Sequence, residues 1–573
     1  MVYEETIRLL ALENALKFKG KANPKALIGG VMKNHSDAKS QMQEVVVSIN
    51  SIVQEINALS LGDQKAELLK LNPDFDKNQQ EQKKQRKEQR GQLPDLPNAI
   101  EGKFITRIPP EPSKYNHLGH ALSFLINYLY AKKYSGQAIL RFDDTNPEKE
   151  TDEFVSAVHE DVIDYLEIKP DKIVFASDHM EQYYAYAQKL IDGGDAYVCE
   201  CVQEDISKNR KAMQDCSHRN QSVHENQTLW DLMKAGLVKE GTHVLRLKIN
   251  MQHKNAVMRD PVIYRLCFTS HYRQGETYKV WPMYDFESAI EEGLCGVTHV
   301  MRSNEFDQRI ELQNYIAKLF DFPEVTYKHY GRYEVPGTTT QGREIRALIE
   351  SGNYLGWDDP RLVTLRALKR RGIVKEAYYE LAQKIGLSKT KTLLDFSVIA
   401  AVNRSLLDKS AKRFFAIRDP VEVSVTGIPE ELKQFNLAYH PDGVKGERVL
   451  PVTQTYYVEK EDNQKVVAGD IIRFMDAMNI KKVSDSSYEF MGESYDEFRA
   501  LPKKGSLIHF VPKDGNELKA EIMLPDTSII PIIGEQNLST LKPDTVIQFE
   551  RYAFVRFDHL RKDGTMHFWY THD

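Results

Sequence analysis

Residues 109–121 read PPEPSKYNHLGHA and place His117 and His120 three positions apart where a helical pattern begins at Leu118. Pro109, Pro110 and Pro112 cannot sit inside a helix, so a rigid turn leads into the histidines. The free N–H groups and partial positive charge of a helix start attract phosphate. Gly119 carries no side chain to hold a ligand away from the backbone. Two imidazoles at such a place can donate hydrogen bonds to phosphate oxygens and to charge that builds on them in a transition state. The chemistry suggested is nucleotide phosphate binding with phosphoryl or adenylyl transfer. The alternative is a pair of polar histidines that only cap the helix. A second group, Cys199, Cys201, Cys216 and His218, is spaced as Cys-x-Cys, fourteen residues, Cys-x-His. Four such ligands can close a tetrahedron around a structural Zn²⁺, with free thiols as the alternative. Cys267 and Cys295 are expected to be buried and inert, and five cysteines in 573 residues make no disulfide framework.

These residues must be positioned by several domains, because 573 residues exceed what one core serves. A hydrophobic content of 41% with 28% charged residues fits buried cores in a water-soluble chain. A net charge of -6 excludes a polycation, so any nucleic-acid contact must come from local basic patches. No apolar run approaches 18 residues and no leader pattern opens at Met1, so a cytoplasmic protein without a membrane span is expected. Residues 1–95 form a helical domain and a basic linker. EETIRLLALENALKF puts Leu9, Leu12 and Leu16 on one helix face, and MQEVVVSINSIVQEINAL is a second amphipathic helix. DKNQQEQKKQRKEQRGQ, at 76–92, is a solvated helix or linker, or else a basic tract touching RNA. Residues 96–345 alternate strand and helix: KFITRI, HALSFLINYLYAKKY, QAILRFDD, ETDEFVSAVHEDVIDYLEI, IVFAS, HMEQYYAYAQKLIDGG. That order implies a parallel sheet with crossover helices, whose ligands bind at the carboxyl ends of the strands. Residues about 195–270 interrupt it as an insertion. Residues 346–418 are a helical connector, and 419–573 hold the short β-runs of all-β barrels.

PPEPSKYNHLGHA closely resembles the HIGH signature of class I aminoacyl-tRNA synthetases, in the form of the glutamyl/glutaminyl subgroup. LRFDDTNPEKE (140–150), YDFESAIEE (284–292), GVTHVMRSNEF (296–306) and GWDDPRLVTLRALKRRGI (356–373) resemble the same subgroup in the same order. ALENALKFKGKANPKALIG resembles the N-terminal helical domain of its archaeal glutamyl members. The resemblance implies a Rossmann-type catalytic domain, an inserted segment that binds the tRNA acceptor end, and β-barrels that bind the anticodon. It implies two steps. ATP with Mg activates glutamate as the adenylate, and the acyl group then passes to the 2′-hydroxyl of the terminal adenosine of tRNA(Glu), with tRNA(Gln) as a second candidate acceptor. By the same resemblance His117, Gly119 and His120 bind ATP, and the two histidines act on the phosphates as catalytic groups. Arg107 pairs with the amino acid's side chain, where a planar guanidinium suits a carboxylate. Glu111 and Asp143 match positions near the α-amino group and the tRNA end, and Tyr284 matches a pocket tyrosine. Arg302 stands where glutamate-specific members carry arginine, and a second cation favours an acidic ligand over an amide; a salt bridge to Glu305 or Asp307 is its alternative role. Some members carry a similar Cys-x-Cys…Cys-x-His group.

One departure is marked. The family's second signature loop supplies a lysine to the leaving pyrophosphate. The matching stretch here, VPGTTTQGREIRALIESG, has no lysine and no serine-lysine pair, and Gln341 and Gly342 stand where those two belong. Arg343 is the candidate replacement. Arg366, Lys369, Arg370 and Arg371 are candidate tRNA contacts on a helix, against a merely solvated face. Two other functions compete with glutamate ligation: a glutaminyl-tRNA synthetase, and a non-catalytic tRNA-binding relative.

Overall fold

A computed structural model describes residues 3–77, 93–503 and 505–573, and the chain divides into two compact units, residues 1–92 and 93–573. In the first, α1 (Glu4–Lys17), α2 (Pro24–Asn34), α3 (Met42–Ala58) and α4 (Leu61–Leu71) form a bundle. The Asn23 side chain caps α2, whose first residue is Pro24, and the Ser60 side chain caps α4. The buried face of α1 is Ile7, Ala11, Leu12 and Ala15. Of the expected stripe only Leu12 is fully buried; Leu9 and Leu16 pack at the margin, since α2, α3 and α4 all pack on α1 and cover the face of Ile7, Ala11, Leu12 and Ala15. The basic tract lies almost wholly outside the described residues.

The second unit is built on a parallel sheet. β1 (Ile105–Ile108), β2 (Gln137–Phe142) and β3 (Lys172–Phe175) pair in parallel, in that order. Later in the chain β8 (His299–Ser303) pairs in parallel with β9 (Thr326–Tyr330), and Thr298 joins β8 to Ile105 of β1: its N–H donates to Ile105 O at 2.9 Å, and its hydroxyl accepts from Ile105 N–H at 3.0 Å. The helix α5 (Leu118–Lys133) lies against this sheet and is buried nearly all round. Leu118, Leu122, Leu125 and Ile126 fill its core side. The buried Asn127 is fully used: it accepts from Thr106 Oγ1 at 2.8 Å and donates to Met301 O at 3.2 Å, which fixes the helix to two strands.

The expected helix over 150–168 is two pieces. α6 (Asp152–His159) stops at His159, and a wider π-helical turn, Glu160–Tyr165, follows. In that turn Asp161 and Tyr165 face inward; Tyr165 Oη donates to Ile373 O at 2.6 Å. α7 (Met180–Asp192) ends in Gly193 and Gly194, the latter with φ +76°. An antiparallel sheet then runs from Ala196 to Pro282: β4 (Ala196–Cys199), β5 (Val244–Leu247), β6 (Val262–Leu266) and β7 (Val280–Pro282). Two helices, α8 (Gln203–Ala212) and α9 (Val223–Lys234), fill the β4–β5 connection. α10 (Tyr284–Leu294) and α11 (Ile310–Leu319) complete the region. Residues 342–410 are mainly helical, with α12 (Gly342–Glu350), α13 (Leu365–Arg370), α14 (Lys375–Ile385) and α15 (Phe396–Ser410).

From Arg413 onward the chain forms two seven-stranded sheets. One runs through residues 518–572 and the other through 420–512. Each is rolled shut by one short segment. Residues 413–414 pair with 548–549 at one edge while 416–417 pair with 533–534 at the other. Residues 507–508 and 511–512 close the second sheet in the same way. Among the described residues this leaves neither seven-stranded sheet with a long free edge.

Candidate active site

One cavity of about 1060 Å³ opens where the carboxyl ends of β1, β2 and β8 meet the N-terminus of α5. It brings together Arg107, Glu111, His117, Gly119, His120, Asp143, Tyr284 and Arg302, eight of the nine residues singled out for substrate or catalysis. The ninth, Arg343, is not among them. It is exposed on the first turn of α12 and lines no part of the cavity, while Thr340 and Gln341 before it do.

The histidines do cap α5. Gly119 N–H donates to His117 Nδ1 at 3.1 Å, and His117 N–H donates to His120 Nδ1 at 3.2 Å. Both Nδ1 atoms are acceptors, so the proton of each neutral ring sits on Nε2. Burial pushes the His117 pKa down to about 3, with nearby Lys114 adding to the effect, and burial holds His120 well below its ordinary value. At neutral pH these rings are therefore uncharged donors. The two roles weighed from sequence coexist: the cap uses Nδ1 and leaves Nε2–H. Gly119 is required by the ring beside it. A Cβ there would stand 3.0 Å from His117 Cε1, so any side chain would displace that ring. The turn itself is pinned from behind. Leu118 N–H donates to Val363 O at 3.1 Å, Leu365 N–H to Asn116 O at 2.9 Å, and Asn116 Nδ2 to the buried Asp161 at 3.0 Å.

The second part of the lining is charged and buried. Arg107 Nε donates to Glu292 Oε1 at 2.7 Å, and Arg141 Nη1 lies 3.3 Å from Glu292 Oε2. Arg141 also holds Asp143 by two bonds of 2.6 and 3.2 Å. The row Arg107–Glu292–Arg141–Asp143 thus alternates in sign. Burial pushes Glu292 up, but the two arginines outweigh it and its pKa ends below the ordinary range. Arg107 lines the cavity, and among the described residues its terminal nitrogens have no acceptor. Arg302 Nε donates to His329 Nε2 at 3.1 Å, and its Nη2 to Gln313 at 2.7 Å. Its Nη1 approaches the Tyr284 hydroxyl at 3.4 Å. His329 in turn bonds Asp307 through Nδ1. The direct salt bridge to Glu305 or Asp307 is not formed; Asp307 acts on Arg302 only through the imidazole. Glu111 is exposed at the rim.

Sequence reasoning missed Arg141, Glu292, Glu150 and Glu287. Glu150 and Glu287 line the cavity, are nearly inaccessible, and each has one carboxyl oxygen without a hydrogen-bond partner. Burial raises Glu150 to about 9 and Glu287 well above its usual range. No motif marks these positions beyond their place in YDFESAIEE and NPEKE.

Cys199, Cys201, Cys216 and His218 form a group whose ligand atoms all lie within 4.8 Å of one another. Cys199 Sγ is 3.8 Å from Cys216 Sγ, and His218 Nδ1 is 3.5 Å from Cys201 Sγ. Thiolates on a tetrahedral zinc at ~2.3 Å are ~3.8 Å apart, and a thiolate and an imidazole ~3.5 Å apart. The group fits that ion. The fully buried Arg246 puts Nη1 3.8 Å from both Cys199 and Cys216 sulfurs, where it offsets thiolate charge. Cys267 is buried as expected, but Cys295 is partly exposed because it lies just past the C-terminus of α10.

The four cations expected to meet tRNA are mostly occupied. Arg366 pairs with Glu160 at 2.7 Å, and Arg370 with Asp358 at 2.6 Å and Asp558 at 2.9 Å. Arg371 is buried against Phe396. Among the described residues, Lys369 alone of the four lacks an acidic or carbonyl partner. The helix is a joint between the catalytic sheet and a barrel, so three of these four cations have partners within the fold. No helix among the described residues is long and apolar enough to cross a membrane.

Two family models match the chain: tRNA synthetases class I (E and Q), catalytic domain, over residues 103–409, and the anti-codon binding domain of the same group over 411–493. The chain is 40% identical over 555 residues to the glutamate–tRNA ligase of Pyrococcus abyssi, covering 96% of each. It is 38% identical over 581 residues to that of Pyrococcus furiosus, covering 98% of each. It is 36% identical over 569 residues to that of Methanocaldococcus jannaschii, again covering 98% of each. Two matched domains in sequence and relatives aligned from end to end leave one assignment: the chain belongs to the class I tRNA synthetases of the E and Q group.

Proposed function

We propose that this protein ligates L-glutamate to tRNA(Glu), using ATP with Mg, in the cytoplasm. The observation that carries the choice of glutamate is the pair Arg107 and Arg302 in the cavity that also holds His117 and His120. Two guanidiniums, one with free terminal donors, suit a side-chain carboxylate and leave a neutral amide short of charge. The α-carboxylate of glutamate attacks the α-phosphorus of ATP. The bond to the β-phosphate bridging oxygen breaks, and pyrophosphate leaves with that electron pair. His117 and His120 donate Nε2–H to phosphate oxygens as negative charge grows there. Asp143 and Glu111 face the ammonium group. The 2′-hydroxyl of the terminal adenosine then attacks the acyl carbon, and AMP departs. Tyr284 and the chain Arg302–His329–Asp307 hold the pocket's shape.

Cys199, Cys201, Cys216 and His218 hold one structural zinc, with Arg246 behind it. The ion supplies cross-linking of the β4–β5 connection and takes no part in the transfer. Protein purified without chelator should carry one zinc per chain; a metal-free preparation of full activity and unchanged melting would remove that assignment. The ligation itself is tested by pyrophosphate exchange into ATP, with glutamate and with glutamine, each with and without tRNA(Glu). Glutamate-dependent exchange supports the reading. Exchange with glutamine instead would make the chain a glutaminyl enzyme. No exchange with either, while tRNA still binds, would leave a non-catalytic tRNA-binding protein.

A further inference from the structure

We propose that Lys114 is the cation that neutralises the β- and γ-phosphates of ATP and the departing pyrophosphate, in place of the lysine that the loop at 338–342 lacks. The inference rests on the glutamate-ligase reading above. Its first ground is a shortage of charge. A polyphosphate leaving group carries several negative charges, and the two histidines beside it are neutral donors, by their Nδ1 contacts and by burial. Hydrogen bonds from neutral rings orient the phosphates but do not balance them; beyond the Mg that accompanies ATP, that calls for a protein cation in the transition state.

Its second ground is elimination within the cavity. Seven lysines and arginines line it. Arg107 is held by Glu292, Arg265 by Glu148, and Arg309 by Asp285. Arg302 bonds Gln313 and His329, and Arg332 lies near Glu305. Lys114 and Lys149 alone have no partner among the described residues. Lys149 lines only the main cavity, whereas Lys114 also shares the smaller recess with His117, and its charge bears on both His117 and His120.

Its third ground is the place of Lys114 relative to the loop. Lys114 lines the main cavity and also a smaller recess next to it, which it shares with His117, Thr339, Thr340 and Gly342. A Cβ on Gly342 would stand 3.2 Å from the Lys114 Cβ, so the loop backbone packs directly on that residue. Lys114 therefore stands between the histidine turn and the loop that carries Thr340 and Gln341. Thr338 and Thr339 are fixed within that loop, to Arg361 O at 3.1 Å and to Glu344 at 2.5 Å. They can shape it but supply no charge. An ammonium on a flexible stem can follow pyrophosphate as it leaves, which a buried guanidinium cannot.

The test compares wild type, Lys114→Ala, Lys114→Arg and Arg343→Ala in pyrophosphate exchange with glutamate and tRNA(Glu) present. Binding of tRNA and thermal melting serve as controls. The expected result is a fall of about 100-fold in exchange kcat for Lys114→Ala. Melting and tRNA binding should stay unchanged, the KM for pyrophosphate should rise, and Lys114→Arg should recover most of the rate. Arg343→Ala should stay within threefold of wild type. Two outcomes overturn the proposal while leaving glutamate ligation standing: Lys114→Ala within threefold of an active wild type, or loss of exchange in Arg343→Ala but not in Lys114→Ala. An inactive wild type that still binds tRNA overturns the ligase reading and this proposal with it.

Discussion

The cavity has two unlike parts. Around Arg107 and Arg302 charge is dense, buried and paired: Glu292 and Arg141 are almost inaccessible and carry the alternating row to Asp143. Around His117 and His120 the donors are neutral, the one nearby cation is unpaired, and the loop facing them is held by hydroxyls. The first part presents a fixed charge pattern to a small anion, and its discrimination comes from preorganisation. The second must admit a large polyanion and release most of it each turnover, so its groups stay mobile or uncharged. A buried pair is costly to build and costlier to break; a surface lysine costs little either way.

The largest effect should come from breaking the charged part. Arg107→Ala leaves Glu292 with Arg141 alone and removes the free guanidinium edge. kcat/KM for glutamate should fall by about 1000-fold or more, and melting should drop, since stranding a buried charge costs about 3–5 kcal/mol. Retained glutamate selectivity in steady-state charging would show that Arg302 alone reads the side chain. Next in size, His120→Ala should lower exchange kcat by about 100-fold while tRNA affinity in filter binding stays the same. An unaltered rate would reduce both histidines to helix caps.

The two parts should also answer pH in opposite senses. Glu292 is held below its ordinary pKa, so the stability it contributes is present at neutral pH and is lost as pH falls through the lowered value. Asp161, behind the histidine turn, is pushed up by burial to about 7 from 3.8. Its contribution is complete below about pH 4 and is lost as pH rises through 7. Asp161→Asn should therefore flatten the melting profile between pH 4 and 7 and raise melting at pH 8. A profile parallel to wild type would mean that Asp161 is ionised in the fold. The smallest effect, within threefold, is expected for Arg343→Ala in the exchange assay, because this side chain faces solvent and touches neither part.

Local patterns were legible where chemistry is contiguous in the chain. HLGH fixes a helix start and two rings within four residues, and the Cys/His spacing sets four ligands around one turn of sheet and helix. Strand and helix order predicted the parallel sheet, because periodicity and short connections are local properties. The face of α1 was misplaced, since which stripe is buried depends on where α2, α3 and α4 lie. The break at His159 was invisible for a similar reason: nothing in EDVIDY announces a wider turn until Asn116 and Ile373 are present to receive it.

Read along the chain alone, the residues already set their types and order, the family, and the lack of a lysine in TTTQGREIR. Which charges cancel was settled by packing in three dimensions. Arg107 and Glu292 lie 185 residues apart in the chain, and Arg370 and Asp558 lie 188 apart. No spacing rule pairs residues so distant. The same reason gave Arg366 and Arg370 of α13 carboxylate partners, put Arg343 outside the cavity and left Lys114 inside it. An ion pair is a property of distance in space and of exclusion of water, and both are set by packing after the elements have formed.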